Sequence, residues 1–283
     1  MNIGVYVNEL KDKNFVYTDR LIKIMQKKKI DFALFNNYKG TAINVCLLDL
    51  KSLVAFGDLV IVLGGDGTIL QVIKECAKQN TPVVGINLGH LGFLADIEKN
   101  QLEQLFGLLE NNAYHIEERS LVEAYYGGKE FLALNDIVIS KGENTRLINI
   151  ETHVGDMLLD NYFCDGLIVS TPTGSTAYSM SVGGPILAPD IAGLIINPIS
   201  SHSLHSRPVV IADGSRVGLI CTKLNIDCQL VVDGELVAKI KNNDKILIKK
   251  SKYKALLIRL DGNNFYSVLL KKLNRWGVTE NKE

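Results

Sequence analysis

Asp66 stands among glycines in Gly64-Gly65-Asp66-Gly67-Thr68. The apolar run Leu59-Val60-Ile61-Val62-Leu63 precedes it, and Ile69-Leu70-Gln71-Val72-Ile73-Lys74 follows. This order predicts strand, glycine turn, helix. Glycines let backbone N–H groups close on an anion, and a helix N-terminus adds positive potential. A carboxylate within such a turn repels bound phosphates, so a metal ion or a chemical use must offset it. The chemical use would be to take the proton of a hydroxyl that attacks phosphorus. The turn is neither the Walker loop, which needs Lys and Ser/Thr after the last Gly, nor G-x-G-x-x-G. On turn chemistry alone, a helix-start turn with an Asp cap explains it equally well.

Three further stretches carry polar chemistry. Gly85-Ile86-Asn87-Leu88-Gly89-His90-Leu91-Gly92-Phe93-Leu94 could lie against a flat ligand, with Phe93 as an apolar wall, although an ordinary turn with a core Phe reads as well. Asn135-Asp136 opens a predicted strand, and a neighbouring amide and carboxylate suit vicinal ribose hydroxyls, with a strand-initiating turn as the plainer reading. The block Asp165–Ser181 crowds hydroxyls at Ser170, Thr171, Thr173, Ser175, Thr176 and Tyr178 around Pro172 and Gly174. Such a loop offers many hydrogen bonds without charge, and Ser175 or Thr176 could cap a helix. A hydrophilic surface loop would not explain its buried-looking flanking strand.

Composition narrows the classes. Lys+Arg and Asp+Glu are both 31, so no basic face points to nucleic acid. No apolar run reaches the ~18 residues of a membrane span. The N-terminus, Met1–Val7, does not read as a secretory signal. Five cysteines at irregular spacing read as reduced, mostly buried thiols of a cytoplasmic protein, and no Cys/His spacing suggests zinc. Strands at Ile3–Val7, Leu59–Leu63 and Val83–Asn87, with short apolar runs at Asp31–Phe35 and Val45–Leu48, alternate with helices at Tyr17–Lys28, Thr68–Lys78 and Leu102–Leu109. That alternation predicts a parallel sheet with helices on its faces, and ligands at the carboxyl ends of its strands. From His115 to about Leu260 short strands prevail, at Leu134–Ser140, Leu167–Ser170, Val209–Ala212, Val217–Cys221, Gln229–Val232 and Lys245–Ile248. The Lys-rich Lys239–Lys252 reads as a strand with a solvated face. The tail Phe265–Trp276 has a mixed pattern.

Taken together, G-G-D-G-T-I-L, G-I-N-L-G-H-L-G-F-L, the Asn-acidic pair and D-G-L-I-V-S-T-P-T-G-S-T-A-Y-S-M-S-V-G-G-P resemble the NAD kinase family in order and spacing. Ser203–Pro208 and Val232-Asp233-Gly234 look like later family segments. The resemblance implies an α/β N-terminal domain with a parallel sheet plus a β-rich C-terminal domain, of the NAD kinase/diacylglycerol kinase-like class. Expected divisions are 1–112 for the phosphate donor, 113–262 for NAD, and a tail, 263–283, returning to the first domain. The implied activity is phosphoryl transfer from ATP, or another donor such as polyphosphate, to the 2′-hydroxyl of the adenosine ribose of NAD, giving NADP.

By that resemblance Asp66 is the general base, and Gly64, Gly65, Gly67 and Thr68 hold donor phosphates. The NAD set is Asp66, Gly67, Leu70, Phe93, Asn135, Asp136, Asp165, Thr173, Thr176, Ala177, Tyr178, Ser181, Ser200 and His202, with Ser200–His202 supplied by a neighbouring subunit. Magnesium would sit on the donor phosphates, with no metal cluster of protein side chains. A homodimer or homotetramer is implied. Two positions depart from the usual pattern: Phe163 stands where many relatives carry a basic residue, which leaves NAD against NADH open, and Asp136 stands where many carry Glu. Two other readings fit the glycine loop. A lipid or sugar kinase would need an apolar channel or an Arg cluster, and a non-catalytic NAD(H) sensor would not need Asp66. His90, His153, His202 and His205 are expected to be structural or peripheral.

Overall fold

The computed structural model describes residues 1–89, 92–95, 97–143, 145–203, 205–222, 228–260 and 264–277. His90, Leu91 and Leu204, which belong to quoted motifs, lie outside them, as do 261–262 and, in the tail, 263 and 278–283. The chain forms two compact units, Met1–Glu118 with Ala255–Glu283, and Arg119–Lys254.

In the first unit, β1 (Asn2–Val7), β2 (Asp31–Phe35), β3 (Cys46–Leu48), β4 (Leu59–Gly64), β5 (Val83–Asn87) and β6 (Ile97–Glu98) alternate with α1 (Val16–Lys27), α2 (Leu50–Phe56), α3 (Asp66–Gln79) and α4 (Leu102–Glu110). All pairings among these strands are parallel, in the order β3-β2-β1-β4-β5-β6. β4 and β5 are buried on both faces, as continuous apolar runs in parallel sheets must be. The helices close over them with Leu21, Ile22 and Met25 of α1 and Leu105 and Phe106 of α4. From β1 the chain winds outward to β2 and β3, then returns to β4 on the other side of β1. The gap between the carboxyl ends of β1 and β4 is therefore a topological switch point, where ligands settle on such sheets. The tail differs from expectation: Phe265–Gly277 is one continuous helix.

In the second unit, β9 (Asp136–Ser140), β12 (Gly166–Ser170), β13 (Gly193–Ile199), β14 (Val209–Ala212), β16 (Cys228–Val232) and β17 (Glu235–Ile240) form an antiparallel sheet. Its order is β14-β13-β12-β9-β16-β17. β7 (His115–Tyr126) pairs with β8 (Lys129–Ala133), while β10 (Ile148–Val154), β11 (Met157–Cys164), β15 (Val217–Thr222) and β18 (Lys245–Arg259) form a second antiparallel set. Both sets bury side chains in one core, with Ile137, Leu167 and Leu230 from the first and Ile150, Leu219 and Ile246 from the second. The Lys-rich segment holds a turn and then the start of β18, where Ile246 and Ile248 are buried between exposed neighbours. Cys76, Cys164, Cys221 and Cys228 are buried and Cys46 is exposed, all as free thiols.

Candidate active site

The glycine turn closes the end of β4 and starts α3. Gly65 caps the helix, its carbonyl accepting from the N–H groups of Thr68 and Ile69. The Thr68 hydroxyl is buried beneath the turn and accepts from Asn8 Nδ2 at 3.1 Å and Gly65 N–H at 3.4 Å. Asn8 follows β1, so this hydroxyl ties the two loops of the switch point together. A Cβ at Gly64 would run into the Thr68 side chain, while one at Gly67 would meet nothing within 4 Å. Gly64 thus serves the turn itself, and Gly67 leaves an exposed, bare stretch of backbone at the first turn of α3.

Asp66 turns its carboxylate onto the chain after β5. Oδ2 accepts from the N–H of Phe93 at 2.8 Å; Oδ1 accepts from those of Leu94 at 3.0 Å and Ala95 at 3.2 Å. A Cβ at Gly92 would overlap this carboxylate, which is why that position is glycine. Arg259 fixes the receiving loop, its guanidinium donating to the carbonyls of Phe93 at 2.8 Å and Leu94 at 3.0 Å. Two lysines also reach the turn. Lys272 Nζ, on the C-terminal helix, lies 3.8 Å from Asp66 Oδ2, and Lys11 Nζ would come within 2.6 Å of a Cβ at Gly65. Leu70 and Phe93 are half-buried in the same unit. Among the described residues, no three His, Cys, Asp or Glu side chains gather as a metal site. Asp66 alone offers at most one ligand, which fits a magnesium ion carried mainly by phosphate oxygens and not a protein cage.

The second unit holds a pocket of about 390 Å³. Asn135, Asp136, Ala177, Tyr178, Asp233 and Gly234 line it, with Val138, Ser140 and Val231. Its floor is built by a two-residue hairpin between β16 and β17, Asp233-Gly234, in which both residues have positive φ (49° and 83°). Asp-Gly is the sequence such a turn favours. From it the Asp233 carboxylate accepts the backbone N–H groups of Leu134, Asn135 and Asp136 at 3.0, 2.8 and 3.2 Å. Burial, and then the Asp233 charge, push the Asp136 carboxyl up to about 7. The hydroxyl-rich block is sewn to the same strand: Thr171 Oγ1 donates to the Leu134 carbonyl at 2.6 Å, and Gly174 packs so tightly on the Asn135 carbonyl that a Cβ would clash.

Of the other expected residues, Thr173 is buried and its hydroxyl accepts from Arg119, while Thr176 donates back to the Thr173 carbonyl. Tyr178, Ser181, Ser200 and His202 are exposed. Asp165 pairs with Lys141 at 2.6 Å. His202 donates its backbone N–H to the Phe163 carbonyl at 2.9 Å, and its ring meets the half-exposed Phe163 ring in a T-shaped pair. The pocket thus gathers Asn135, Asp136, Ala177 and Tyr178 but not Thr173, Thr176, Asp165, Ser181, Ser200 or His202. Sequence reasoning assigned no role to Asp233, Lys11 or Lys272. Asp-Gly between two strand-like runs was the available signal for Asp233; the two lysines carried none.

A glycine-turned carboxylate at the switch point of a parallel sheet, in a chain that also carries a carboxylate-floored pocket, suits a phosphotransferase. Residues 3–114 match the family model of the ATP-NAD kinase N-terminal domain, and 134–260 that of the ATP-NAD kinase C-terminal domain. The chain belongs to the NAD kinase family. It is 38% identical to the NAD kinase of Natranaerobius thermophilus, over 96% of this chain and 97% of that one. With the NAD kinase of Caldanaerobacter subterraneus subsp. tengcongensis the identity is 42%, over 76% of this chain and 78% of that one. In fold it is similar to yeast NADH kinase complexed with NADH (TM-score 0.88, 21% identity, 100% of this chain and 90% of that one). It is also similar to the Archaeoglobus fulgidus NAD kinase in complex with ATP (TM-score 0.77, 24% identity, 95% and 99%).

Proposed function

We propose that this protein is an NAD kinase that transfers the γ-phosphoryl group of ATP to the 2′-hydroxyl of the adenosine ribose of NAD, giving NADP and ADP. The observation that carries the reading is the Asp66 carboxylate, held by backbone N–H groups of the next loop beside the bare first turn of α3. A base fixed in this way loses little orientation on reaching the reacting hydroxyl. In the step, the bond between the 2′-oxygen and the γ-phosphorus forms, and the bond from that phosphorus to the β,γ-bridging oxygen breaks. Its electron pair leaves with ADP, and the hydroxyl proton passes to Asp66.

The turn Gly64–Thr68 and the N-terminus of α3 hold the donor phosphates. Magnesium, when bound on those phosphates, neutralises their charge. The pocket of Asn135, Asp136, Ala177 and Tyr178 takes the ribose and ring of NAD. Thr173, Thr176, Asp165, Ser181, Ser200 and His202 form the remaining dinucleotide contacts. The exposed Met157, Leu158 and Phe163 on β11 support a homodimer or homotetramer, and the free thiols fit a cytoplasmic location.

The test is purified protein with NAD, ATP and magnesium, with NADP detected by an NADP-specific dehydrogenase. NADP that disappears without ATP supports the reading. No NADP from either ATP or polyphosphate overturns it.

A further inference from the structure

Counting the lone pairs of Asp66 leads to a role for the C-terminal helix. Oδ1 accepts from two backbone N–H groups, so both its lone pairs are engaged. Oδ2 accepts one, from Phe93, and keeps one lone pair for a substrate proton. The Lys272 ammonium lies 3.8 Å from that oxygen and 4.0 Å from the centre of the Phe93 ring. Its helix is anchored there, with the Phe265 ring tilted over Phe93 at 5.9 Å between centres. An ion pair this long and partly exposed stabilises a fold little. It does, however, set a cation against the one free site of the base. Lys11 brings a second ammonium over Gly65, in the same turn.

We propose that Lys272 and Lys11 form a lysine clamp for the terminal phosphates of the donor, and that Lys272 rests on Asp66 only while the donor is absent. This rests on the kinase reading above and adds residues to its donor site. A triphosphate brings more negative charge than one carboxylate, so it draws Lys272 off Oδ2. The arrival of the donor thereby both fills the clamp and frees the lone pair that must take the 2′-hydroxyl proton. Lys272 suits such a shift: burial holds its pKa below the ordinary lysine value, so the resting contact is a weakly held charge. A lysine, a compact charge on a flexible stem, can move between two anions a few ångströms apart.

The test uses the full chain. Lys272→Met should raise the ATP dissociation constant in calorimetry by about tenfold or more, the usual size for one charge-assisted contact, and leave that of NAD unchanged. Lys272→Arg should restore ATP affinity, and Lys11→Met should weaken ATP alone. A variant-free reading is amine acylation of the wild-type protein followed by mass spectrometry. ATP or inorganic triphosphate should protect Lys272, and NAD should not. Unchanged ATP affinity in Lys272→Met, equal loss of ATP and NAD binding, or labelling indifferent to triphosphate would each overturn the clamp. If the wild type makes no NADP yet triphosphate protects Lys272, the kinase reading fails and the clamp stands. If NADP forms and Lys272 is indifferent to triphosphate, the clamp fails and the reading stands.

Discussion

Two carboxylates carry the proposed chemistry, and their surroundings differ in kind. Asp66 is held by backbone N–H groups and half-open to solvent, a setting suited to a charged group that must meet a hydroxyl. Asp66→Asn keeps the shape but loses the basic lone pair. NADP formation should fall by about 10²–10⁴, the range for removing a general base, with the melting temperature nearly unchanged. Gly92→Ala should cost as much in turnover without touching the carboxylate chemically, because its Cβ would occupy the Asp66 oxygen's place. Asp136 is the opposite case: buried, beside Asp233, and raised to about 7. In the unfolded chain it ionises near 4. Its folded value is the higher one, so its contribution to stability is complete below pH 4 and is lost as pH climbs through 7. Between pH 5 and 8 that loss is about 2–3 kcal/mol. Asp136→Asn should therefore exceed the wild type in denaturant midpoint by much more at pH 8 than at pH 5. In the wild type, KM for NAD should fall as pH rises through 7, when the carboxylate becomes a full acceptor for ribose hydroxyls. A flat KM across that interval would refute Asp136 as the ribose ligand.

At the scale of elements, the loops after β1 and β4 act as one part because the Thr68 hydroxyl joins them. Thr68→Val leaves the buried Gly65 N–H and Asn8 amide without that acceptor, at a cost of about 1–3 kcal/mol. Thermal melts should show the loss, and KM for ATP should rise more than KM for NAD. The strand-turn-helix around Asp66 was legible because its signals are local: a continuous apolar run, then glycines, then helical spacing. The hairpin cap was less so. Asp233 binds N–H groups 97 to 99 residues earlier, and no spacing rule reaches that far. Lys272 was illegible for the same reason, since its helix meets Asp66 only through tertiary packing. The tail's pattern looked mixed because, among its described side chains, Val268 alone is buried, while its polar face carries Lys271 and Asn274. The sequence reads β18 as strand only as far as Lys252, although it runs for 15 residues to Arg259. Lysines at 250, 252 and 254 alternate with the buried Ser251 and Ala255 and the half-buried Tyr253, and dilute the apolar signal.

For the molecule as a whole, the proposed division of labour follows the two compact units, each with its own apolar core. The residues proposed for the donor, Gly64–Thr68, Lys11 and Lys272, all belong to the first, and the pocket of Asn135, Asp136 and Asp233 to the second. Ligand binding stabilises most the segments whose opening would release the ligand, by about 2.7 kcal/mol at a hundredfold excess over Kd. Hydrogen exchange on the intact chain should therefore separate the two substrates. ATP with magnesium should slow exchange in residues 8–12, 64–68 and 265–274. NAD alone should slow it in 134–140, 171–178 and 228–234. Each effect should saturate with its own ligand concentration, which distinguishes binding from a general stiffening. ATP protection confined to the second set of segments would place the donor on the wrong unit, and the assignment of Asp66 as the base beside it would fall with it.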